Sequence, residues 1–503
     1  MAAVSAAPAA REVSADEAHH RQRKGTRQLL AGRASFIASG YVVSVILARG
    51  LGPGLYGYYG IIVSLITRVE LITSAGIPGA IAKLIPEHRE DPRPVEATAR
   101  ALLLGIGFLA FALCWLAAPL VESSFKVPNA TYLFRIACLD VPATALYVSY
   151  TGILGGHRRF GHLAIAQMVY AAAKVVGVLI LLGIGMSVAG VLLTNALATM
   201  VACGFLLVKF PPTGFRPEPE LLRRIGAIAV PMGAYLIAAQ VLSNMDLWAL
   251  QLLWRGDEVV VGRYVAALNI SRTLTIIPTV QSGVLFASLA WALAANDLPA
   301  VQRHIQEATR FALIAAAGAL VMLSPDASVL MGTIFSKAYS PGGRFLEYQL
   351  LAFGVYGLLD AYAHTLVVAG RQWLAAGILL CLLPVAWLSN VLLIPRVGPV
   401  GAAMSLALGL GTGVLIMGAV TWRRFGALVR LSTLLRVALA AGVAVAVSEL
   451  LVVRGAWVVP KLGLIGLIYL AVLVFTREVT SADLGMGKPP KPDLTPEEPG
   501  SEL

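Results

Sequence analysis

The sequence predicts an all-α polytopic membrane protein with about fourteen transmembrane helices. Of its 503 residues, 58% are hydrophobic and 13% are charged, whereas soluble domains contain about 45–50% and about 25% respectively. The mean hydropathy is +0.79. Uncharged runs such as 101–121 and 397–422 reach the roughly 20 apolar residues that a helix needs to cross the hydrocarbon core of a bilayer. This composition excludes a soluble fold.

Fourteen apolar windows follow one another along the chain, separated by short polar connections. The run 175–208 carries no charge over 34 residues. Because this is too long for one helix, a turn is expected at 183–187, where the sequence reads GIGMS. The predicted spans are 29–49, 57–84, 99–121, 131–155, 161–183, 187–208, 226–250, 260–287, 308–325, 344–370, 373–394, 399–421, 434–453 and 457–476.

The distribution of positive charge predicts the orientation. With the N-terminus inside, 26 of the 39 Lys and Arg residues fall on the cytoplasmic side, as the positive-inside rule requires. An even number of spans then places both termini in the cytoplasm. The net charge of +12 therefore reflects membrane topology, and no nucleic-acid partner is expected.

The two ends of the chain differ from the apolar body. Residues 1–28 are Ala-rich and then basic, without the apolar core of a signal peptide, and are predicted to form a disordered cytoplasmic arm. Residues 483–503 are rich in proline and acidic residues and are predicted to form a disordered cytoplasmic tail. The four cysteines lie in apolar runs without a C-x-x-C pair, so neither disulfides nor a metal site are expected. No cofactor or catalytic motif is predicted.

Two connections resemble each other and indicate an internal repeat. The sequence reads ARGLGPGLYGYY at 48–59 and LWRGDEVVVGRY at 253–264. With one gap, Arg49 aligns with Arg255 and Gly57 with Gly262. The repeat distance of about 205 residues covers six predicted spans, and an even offset gives the two halves the same orientation, as in parallel-repeat transporters.

The same segments resemble a known family. The run LARGLGPGLYGYYGIIVS, followed by GIPGAIAKLIPEHRE, is similar to the opening of bacterial polysaccharide transporters of the multidrug/oligosaccharidyl-lipid/polysaccharide flippase superfamily. The segments GGHRRFG (155–161) and NVLLIPRVGPVGAAMSLALG (390–409) resemble two further segments of that family. The resemblance implies two six-helix lobes around a central cavity, 29–208 and 226–421, joined by a cytoplasmic linker at 209–225. The helices of 434–476 form an additional pair.

The resemblance also implies a function. A flippase of this family translocates lipid-linked oligosaccharide across the bacterial inner membrane by alternating access. The expected partners are that substrate, membrane lipids, a coupling H⁺ or Na⁺, and polysaccharide-assembly proteins. The alternatives are an ion-coupled drug or metabolite antiporter of the same superfamily and a membrane-embedded glycosyltransferase or polymerase. The short outer loops argue against the enzyme.

Ionisable side chains inside spans are the candidates for function, because each needs a partner, water or a use. The nine candidates are Arg68, Glu70, Asp140, Lys174, Asp246, Arg272, Asp360, His364 and Glu449. Asp140 could be neutralised by Arg135, and Glu449 lies outside the family core. Neither is expected to be functional.

The predicted substrate site is cationic. Arg68 would contact the substrate's pyrophosphate or form a salt bridge between spans. Lys174, alone at mid-depth of its span, is expected to face the cavity. Asn269 and Arg272 lie three residues apart and share a helix face. Asn244 on the preceding span completes the predicted set of substrate-binding residues.

Four residues are predicted to couple transport to an ion. Glu70 lies two residues after Arg68, a rotation of about 200°, so the two side chains face different surfaces. Asp246 could pair with Arg272, either as a structural ion pair or as a cavity charge. Asp360 and His364 lie four residues apart on one helix face, where they could carry a proton or simply contact water.

Overall fold

The computed structural model describes residues 15–88, 90–125, 127–212, 214–254, 256–276, 288–451, 453 and 455–479. Within these ranges the chain is helical almost throughout and contains no β-strand. In the described part of the chain, twelve helical segments are long and apolar enough to cross a membrane. The predicted class, an all-α polytopic membrane protein, is therefore confirmed.

The helices follow one another with short connections. Their limits are α1 Ala15–Ser74, α2 Ile77–Glu87, α3 Arg93–Phe125, α4 Ala130–Cys138, α5 Asp140–Gly156, α6 Phe160–Gly183, α7 Val188–Lys209, α8 Pro219–Leu242, α9 Met245–Leu253, α10 Val259–Ser271, α11 Leu298–Leu323, α12 Ala327–Ile334, α13 Gly343–Val368, α14 Gln372–Val397, α15 Val400–Phe425, α16 Leu431–Leu450 and α17 Val458–Phe475. Short 3₁₀ segments follow α10, α12 and α16, at Arg272–Thr275, Lys337–Gly342 and Gly455–Trp457.

The first long segment contains two predicted spans. α1 bends sharply at Gly52, which has φ 71° and ψ 170° and is followed by Pro53. Only glycine adopts such a backbone conformation without steric cost. Residues 277–287, the second half of the predicted eighth span, lie outside the described residues. The described helices are therefore consistent with fourteen spans.

Prolines divide two of the predicted spans. The span predicted at 57–84 breaks at Gly76, with Pro78 in the first turn of α2. The span predicted at 131–155 breaks at Leu139, between α4 and α5. Pro142 has no N–H to donate to the carbonyl four residues earlier, so the helical ladder is interrupted there.

Other boundaries differ from the prediction. Residues 15–28, predicted to be disordered, form the start of α1, because Ala, Glu, Gln and Arg favour helix even without an apolar face. Residues 1–14 and the predicted tail at 483–503 lie outside the described residues. The ninth span begins earlier than predicted, at Leu298, because the Asp297 side chain caps α11 by accepting from the Ala300 N–H at 2.9 Å.

The helices pack as two lobes and an additional pair. Here α1–α7 are called the N-lobe and α8–α15 the C-lobe. α1 packs on α6 and α6 on α7, whereas α13 packs on α11 and α15. The remaining helices, the α16–α17 pair, pack on each other and on α11. This arrangement agrees with the fold expected from the resemblance.

The lobes meet at the end of the molecule near Gly52, called here the distal end. A Cβ added to Gly57 would lie 2.8 Å from the Gly262 nitrogen, and one added to Gly262 would overlap the Pro53 carbonyl oxygen. Gly57 and Gly262 are one of the glycine pairs that the internal repeat aligns. Contact between equivalent residues is the arrangement that a pseudo-twofold axis between the lobes produces.

The lobes also meet at the opposite, proximal end. An added Cβ at Gly76 would overlap the Ala229 carbonyl oxygen. Arg224 of α8 forms an ion pair with Glu87 of α2 at 3.0 Å. The lobes therefore touch at both ends and enclose space between them.

Buried charges attach the α16–α17 pair to the C-lobe. Near the distal end, Lys461 Nζ lies 2.6 Å from Asp326 Oδ2, and their side chains are 5% and 12% exposed. Near the proximal end, Arg310 Nη2 of α11 donates to the Glu478 backbone carbonyl at 2.8 Å. Both ends of α17 are thus connected to the same lobe.

The Lys461→Met variant is expected to unfold more easily than the wild type. Removing one partner of a buried ion pair leaves the other charge uncompensated, which costs about 3–5 kcal/mol. The measurement is thermal unfolding of the purified protein in detergent. Lys337→Met, which removes an exposed lysine, is the matched control. Adding Asp326→Asn to Lys461→Met should recover part of the loss, and an unchanged melting temperature would contradict the stabilising role of the pair.

Candidate functional site

A cavity of about 380 Å³ lies between the two lobes. Both halves of α1 line it from the N-lobe, and α9, α10 and the following 3₁₀ turn line it from the C-lobe. Tyrosine, serine, threonine and asparagine side chains contribute hydroxyl and amide groups to its wall. Among the described residues that line it, the charged ones are Arg68, Lys174 and Arg272. The cavity wall is therefore cationic and carries no carboxylate in the described part of the chain.

A second cavity of about 350 Å³ lies inside the N-lobe. Glu70, Asp140 and Lys174 line it, together with Tyr170 and Asn195. The two cavities adjoin, because four residues line both: Phe36, Val63, Thr67 and Lys174. Charge is thus segregated, with the carboxylates in the N-lobe cavity and the two arginines between the lobes.

The arginines of the inter-lobe cavity share one amide. Arg272 Nη2 donates to Asn244 Oδ1 at 2.6 Å, and Arg68 Nη2 donates to the same oxygen at 3.3 Å. Arg68 Nη1 also donates to Gln240 Oε1 at 2.5 Å. These partners are neutral, so the two positive charges remain uncompensated by them. Two neighbouring guanidinium groups form a donor array suited to a phosphate or pyrophosphate group.

The break between α8 and α9 creates this arrangement. Asn244 precedes α9, and its Nδ2 donates to the Gln240 carbonyl at 2.8 Å. Asn244 is 1% exposed, so its Oδ1 is fixed in position for both arginines. The predicted site residues Arg68, Arg272 and Asn244 are thus brought together from both lobes.

Asn269 lines the cavity and also joins the lobes. Its Nδ2 donates to the Tyr56 hydroxyl at 2.7 Å, and its backbone carbonyl accepts from the Tyr41 hydroxyl at 2.9 Å. Both tyrosines belong to α1. The predicted substrate-binding residue therefore also stabilises the inter-lobe contact.

Lys174 lies where the two cavities adjoin. Its Nζ is 3.4 Å from the Tyr170 hydroxyl and 5.6 Å from the centroid of that ring. No carboxylate of the described residues lies within ion-pair distance of Lys174. Glu70 lines the neighbouring N-lobe cavity, so Arg68 and Glu70 face different cavities, as their spacing predicts.

Asp246 does not pair with Arg272, so that predicted ion pair is wrong for the described structure. The Asp246 carboxylate is 1% exposed and accepts from the Tyr264 hydroxyl at 2.5 Å. Arg272 instead bonds to Asn244, which lies at the helix break just before α9. Asp246 is absent from the lining of both cavities.

Asp360 and His364 lie together in the C-lobe. His364 Nδ1 is 3.3 Å from Asp360 Oδ1 and 2.9 Å from the Asp360 carbonyl oxygen. The Tyr235 ring packs edge-on against the imidazole at 6.1 Å. Neither residue of this pair lines either of the two central cavities.

Asp140 was not predicted to be a functional residue. It lines the N-lobe cavity and accepts from the Thr144 hydroxyl at 3.3 Å. Arg135, its expected partner, instead stacks over Trp115 at 5.1 Å. The sequence feature that could have indicated a role for Asp140 is Pro142. This proline breaks the span, so that Asp140 is the first residue of α5. Glu449 is exposed near the end of α16.

Comparison with known proteins places the chain in a family. The sequence model of the family described as polysaccharide biosynthesis protein matches residues 29–287, just over half of the chain. The chain belongs to this family. The Lipid III flippase of Escherichia coli (strain K12) is 22% identical over 378 residues, covering 67% of this chain and 88% of that protein. The Lipid III flippase of Shigella flexneri gives the same values.

Solved structures share the fold of this family member. The Lipid II flippase MurJ in its inward closed conformation superposes with a TM-score of 0.74 and 14% identity, covering 90% of this chain and 99% of that chain. An inward-facing multidrug resistance MATE family transporter of the MOP superfamily gives a TM-score of 0.66 with 13% identity. The superposition covers 78% of this chain and 94% of that transporter. The family model bears out the resemblance to the polysaccharide family, and these structures show that the chain shares their fold.

Proposed function

We propose that the protein is a flippase that translocates polyprenyl-pyrophosphate-linked oligosaccharide across the bacterial inner membrane for cell-surface polysaccharide biosynthesis. The observation that carries the proposal is the inter-lobe cavity, whose described charged residues are Arg68, Lys174 and Arg272. A pyrophosphate is a dianion or more at neutral pH and suits this wall. The names of the Lipid III and Lipid II flippases among its relatives support the same substrate class.

The other polar groups of the cavity suit a sugar. Tyr41, Tyr56 and Asn269 can exchange hydrogen bonds with hydroxyl groups, because each side chain carries a donor or acceptor. Each of the two adjoining cavities is within the range of about 300–1,000 Å³ that is usual for small-molecule sites. In the proposed pose the head group lies in the cavity and the polyprenyl tail remains in lipid.

Alternating access would separate the lobes at one end at a time. The proposal puts the proximal end and both termini in the cytoplasm. Opening there would break the Arg224–Glu87 ion pair, and opening at the distal end would separate Gly57 from Gly262. The proposed rigid units are 29–208 and 226–421, with 434–476 as an additional pair.

Deletion of the gene tests the proposal. The expected result is accumulation of one lipid-linked oligosaccharide on the cytoplasmic leaflet, because its synthesis continues while translocation stops. Lipid extraction and mass spectrometry identify the glycan, and plasmid-borne wild type should reverse the accumulation. A deletion strain without such an intermediate, in which the surface polysaccharide is unchanged, would refute the flippase.

Ion coupling belongs to the same proposal. Glu70 is the leading candidate, because it lines the N-lobe cavity beside Lys174 and Asp140. Asp246, Asp360 and His364 do not line either central cavity, so we rank these three residues below Glu70. The coupling ion would be H⁺ or Na⁺.

The Glu70→Gln variant is expected to lose its response to an imposed ion gradient. The amide has nearly the shape of the carboxylate but does not bind a proton or attract a cation. Translocation in proteoliposomes should therefore become at least about tenfold slower under a proton or sodium gradient. Glu449→Gln, which changes an exposed glutamate at the end of α16, is the control. If Glu70→Gln keeps the full gradient response, Glu70 has no coupling role.

A drug or metabolite antiporter is the second candidate. Glu70 and Asp140 in the N-lobe cavity would suit a cationic substrate, and the MATE family transporter shares the fold. Efflux of cationic dyes that depends on both carboxylates would favour it, whereas neighbouring glycosyltransferase genes would favour the flippase. Formation of a glycosidic bond by the purified protein would instead indicate the glycosyltransferase or polymerase.

A further inference from the structure

A separate basic pocket lies at the proximal end of the C-lobe. It has a volume of about 300 Å³ and is bounded by α11, the start of α16 and the residues after α17. The arginines that line it are Arg303, Arg310, Arg430, Arg436 and Arg477. Two carboxylates, Glu307 and Glu478, also line it. Five guanidinium groups facing two carboxylates leave three formal positive charges.

Three of these arginines are held by neighbouring side chains. Glu478 is 6% exposed and accepts from Arg436 Nη1 at 3.0 Å, while Arg310 Nε lies 3.4 Å from its other oxygen. Arg430 Nε donates to Gln306 Oε1 at 3.0 Å. These contacts fix the shape of the pocket and the positions of the three guanidinium groups.

The other two arginines are available to a ligand. The guanidinium groups of Arg303 and Arg477 form no hydrogen bond or ion pair with any other residue that the structure describes. Arg477 follows α17 in a left-handed conformation with φ 55°, which ends the helix at the pocket. Two unpaired guanidinium groups in a defined pocket are suited to bind an anion, since the planar fork of arginine matches a phosphate.

The start of α16 adds backbone donors. Ser432 and Thr433 lie in the first turn of α16 and line the pocket. N–H groups in the first turn of a helix have no intrahelical acceptor, and the helix dipole is positive at this end. A phosphate at a helix N-terminus accepts hydrogen bonds from these N–H groups and is attracted by the positive end of the dipole. The arginines and the helix start therefore favour the same kind of ligand.

The surroundings of the pocket indicate where this ligand comes from. Leu431, at the start of α16, is 70% exposed, and Phe475, at the end of α17, is 89% exposed. Exposed apolar side chains on membrane-spanning helices face lipid. The orientation proposed above puts this end at the cytoplasmic face, where basic pockets between helices are suited to anionic head groups. We propose that this pocket binds the phosphate group of an anionic membrane lipid whose acyl chains lie along α16 and α17.

The test uses the full-length protein purified in mild detergent. Native mass spectrometry measures the binding of added phosphatidylglycerol, cardiolipin and phosphatidylcholine. The wild type should retain both anionic lipids and little phosphatidylcholine. The Arg303→Gln/Arg477→Gln variant should bind the anionic lipids at least about tenfold more weakly, because two charge-assisted contacts are lost. Glu307→Gln, which removes a negative charge from the pocket wall, should strengthen binding.

A matched control separates site binding from general charge. Arg371→Gln/Arg423→Gln removes two exposed arginines at the same end of the C-lobe, outside the pocket, and should leave lipid binding unchanged. An equal loss in this control, or equal retention of phosphatidylcholine, would overturn the proposal. Inorganic phosphate alone could also stabilise the protein. If it does, and if this stabilisation is lost in the Arg303→Gln/Arg477→Gln variant, a soluble phosphate rather than a lipid is the ligand.

Discussion

Replacing Arg68 or Arg272 with glutamine is expected to lower translocation of the lipid-linked oligosaccharide by about 100-fold while the protein remains folded in the membrane. Each guanidinium faces the inter-lobe cavity and bonds to the neutral Asn244 amide. Each therefore offers a full positive charge to a pyrophosphate. Glutamine keeps hydrogen-bonding capacity but removes that charge. Complementation of the deletion strain and flipping by proteoliposomes measure the effect.

The matched control is Arg135→Gln. Arg135 is also an arginine of a candidate membrane span, but it stacks over Trp115 and is absent from the lining of both cavities. The Arg135→Gln variant should retain near-normal translocation. An immunoblot verifies the amount of this variant in the membrane. If Arg68→Gln and Arg272→Gln both complement fully, the cationic site is refuted.

Arg68 also bridges the lobes, so its structural role must be separated from its charge. Gln240→Ala removes the amide that accepts from Arg68 Nη1 and leaves the charge in place. We expect this variant to translocate within about threefold of the wild type, because one hydrogen bond contributes only about 0.5–1.5 kcal/mol. A loss as large as that of Arg68→Gln would assign Arg68 to the lobe contact instead.

Gly262→Ala is expected to separate the lobes at the distal end. A Cβ there would overlap the Pro53 carbonyl oxygen. The overlapping atom belongs to the backbone and cannot rotate away as a flexible side chain can. Helix α10 must therefore shift away from the turn at Gly52. Because alternating access requires this end to close, translocation should fall at least about tenfold.

Thiol labelling measures the separation directly. In a variant whose four native cysteines are replaced by alanine, Ser44→Cys places a thiol in the wall of the inter-lobe cavity. Gly262→Ala should increase its reaction with a membrane-impermeant maleimide added from outside the cell. Gly54→Ala is the matched control, because open space surrounds its added Cβ. Equal labelling of both alanine variants would show that the Gly262 contact does not close the distal end.

The sequence predicted the membrane-spanning segments, although not all of their limits and breaks, and some of the site. Charge-free runs predicted the spans because the bilayer imposes a minimum apolar length. The three-residue spacing of Asn269 and Arg272 predicted a shared helix face, and both side chains line the inter-lobe cavity. The alignment of Gly57 with Gly262 identified a pair of residues that meet between the lobes.

The partners of the charged groups could not be predicted in the same way. Helical spacing assigns a face only while the helix is continuous, and the break before α9 leaves Asn244, not Asp246, beside Arg272. Pro142 marks the helix break beside Asp140, but the cavity that Asp140 lines is formed by several helices whose packing no local pattern encodes. The segregation of carboxylates from arginines depends on this packing.

The two attachments of α17 have a mechanical consequence. Lys461 is bonded to Asp326 near one end, and Glu478 is bonded to Arg310 just beyond the other. A helix pinned twice to one lobe travels with it, so the C-lobe carries extra mass and a larger lipid-facing perimeter than the N-lobe. Bilayer viscosity resists the turning of the larger body more strongly. Relative to the surrounding lipid, the N-lobe should therefore sweep the wider arc during each transport cycle, and spectroscopic labels on α3 or α6 would report most of the motion.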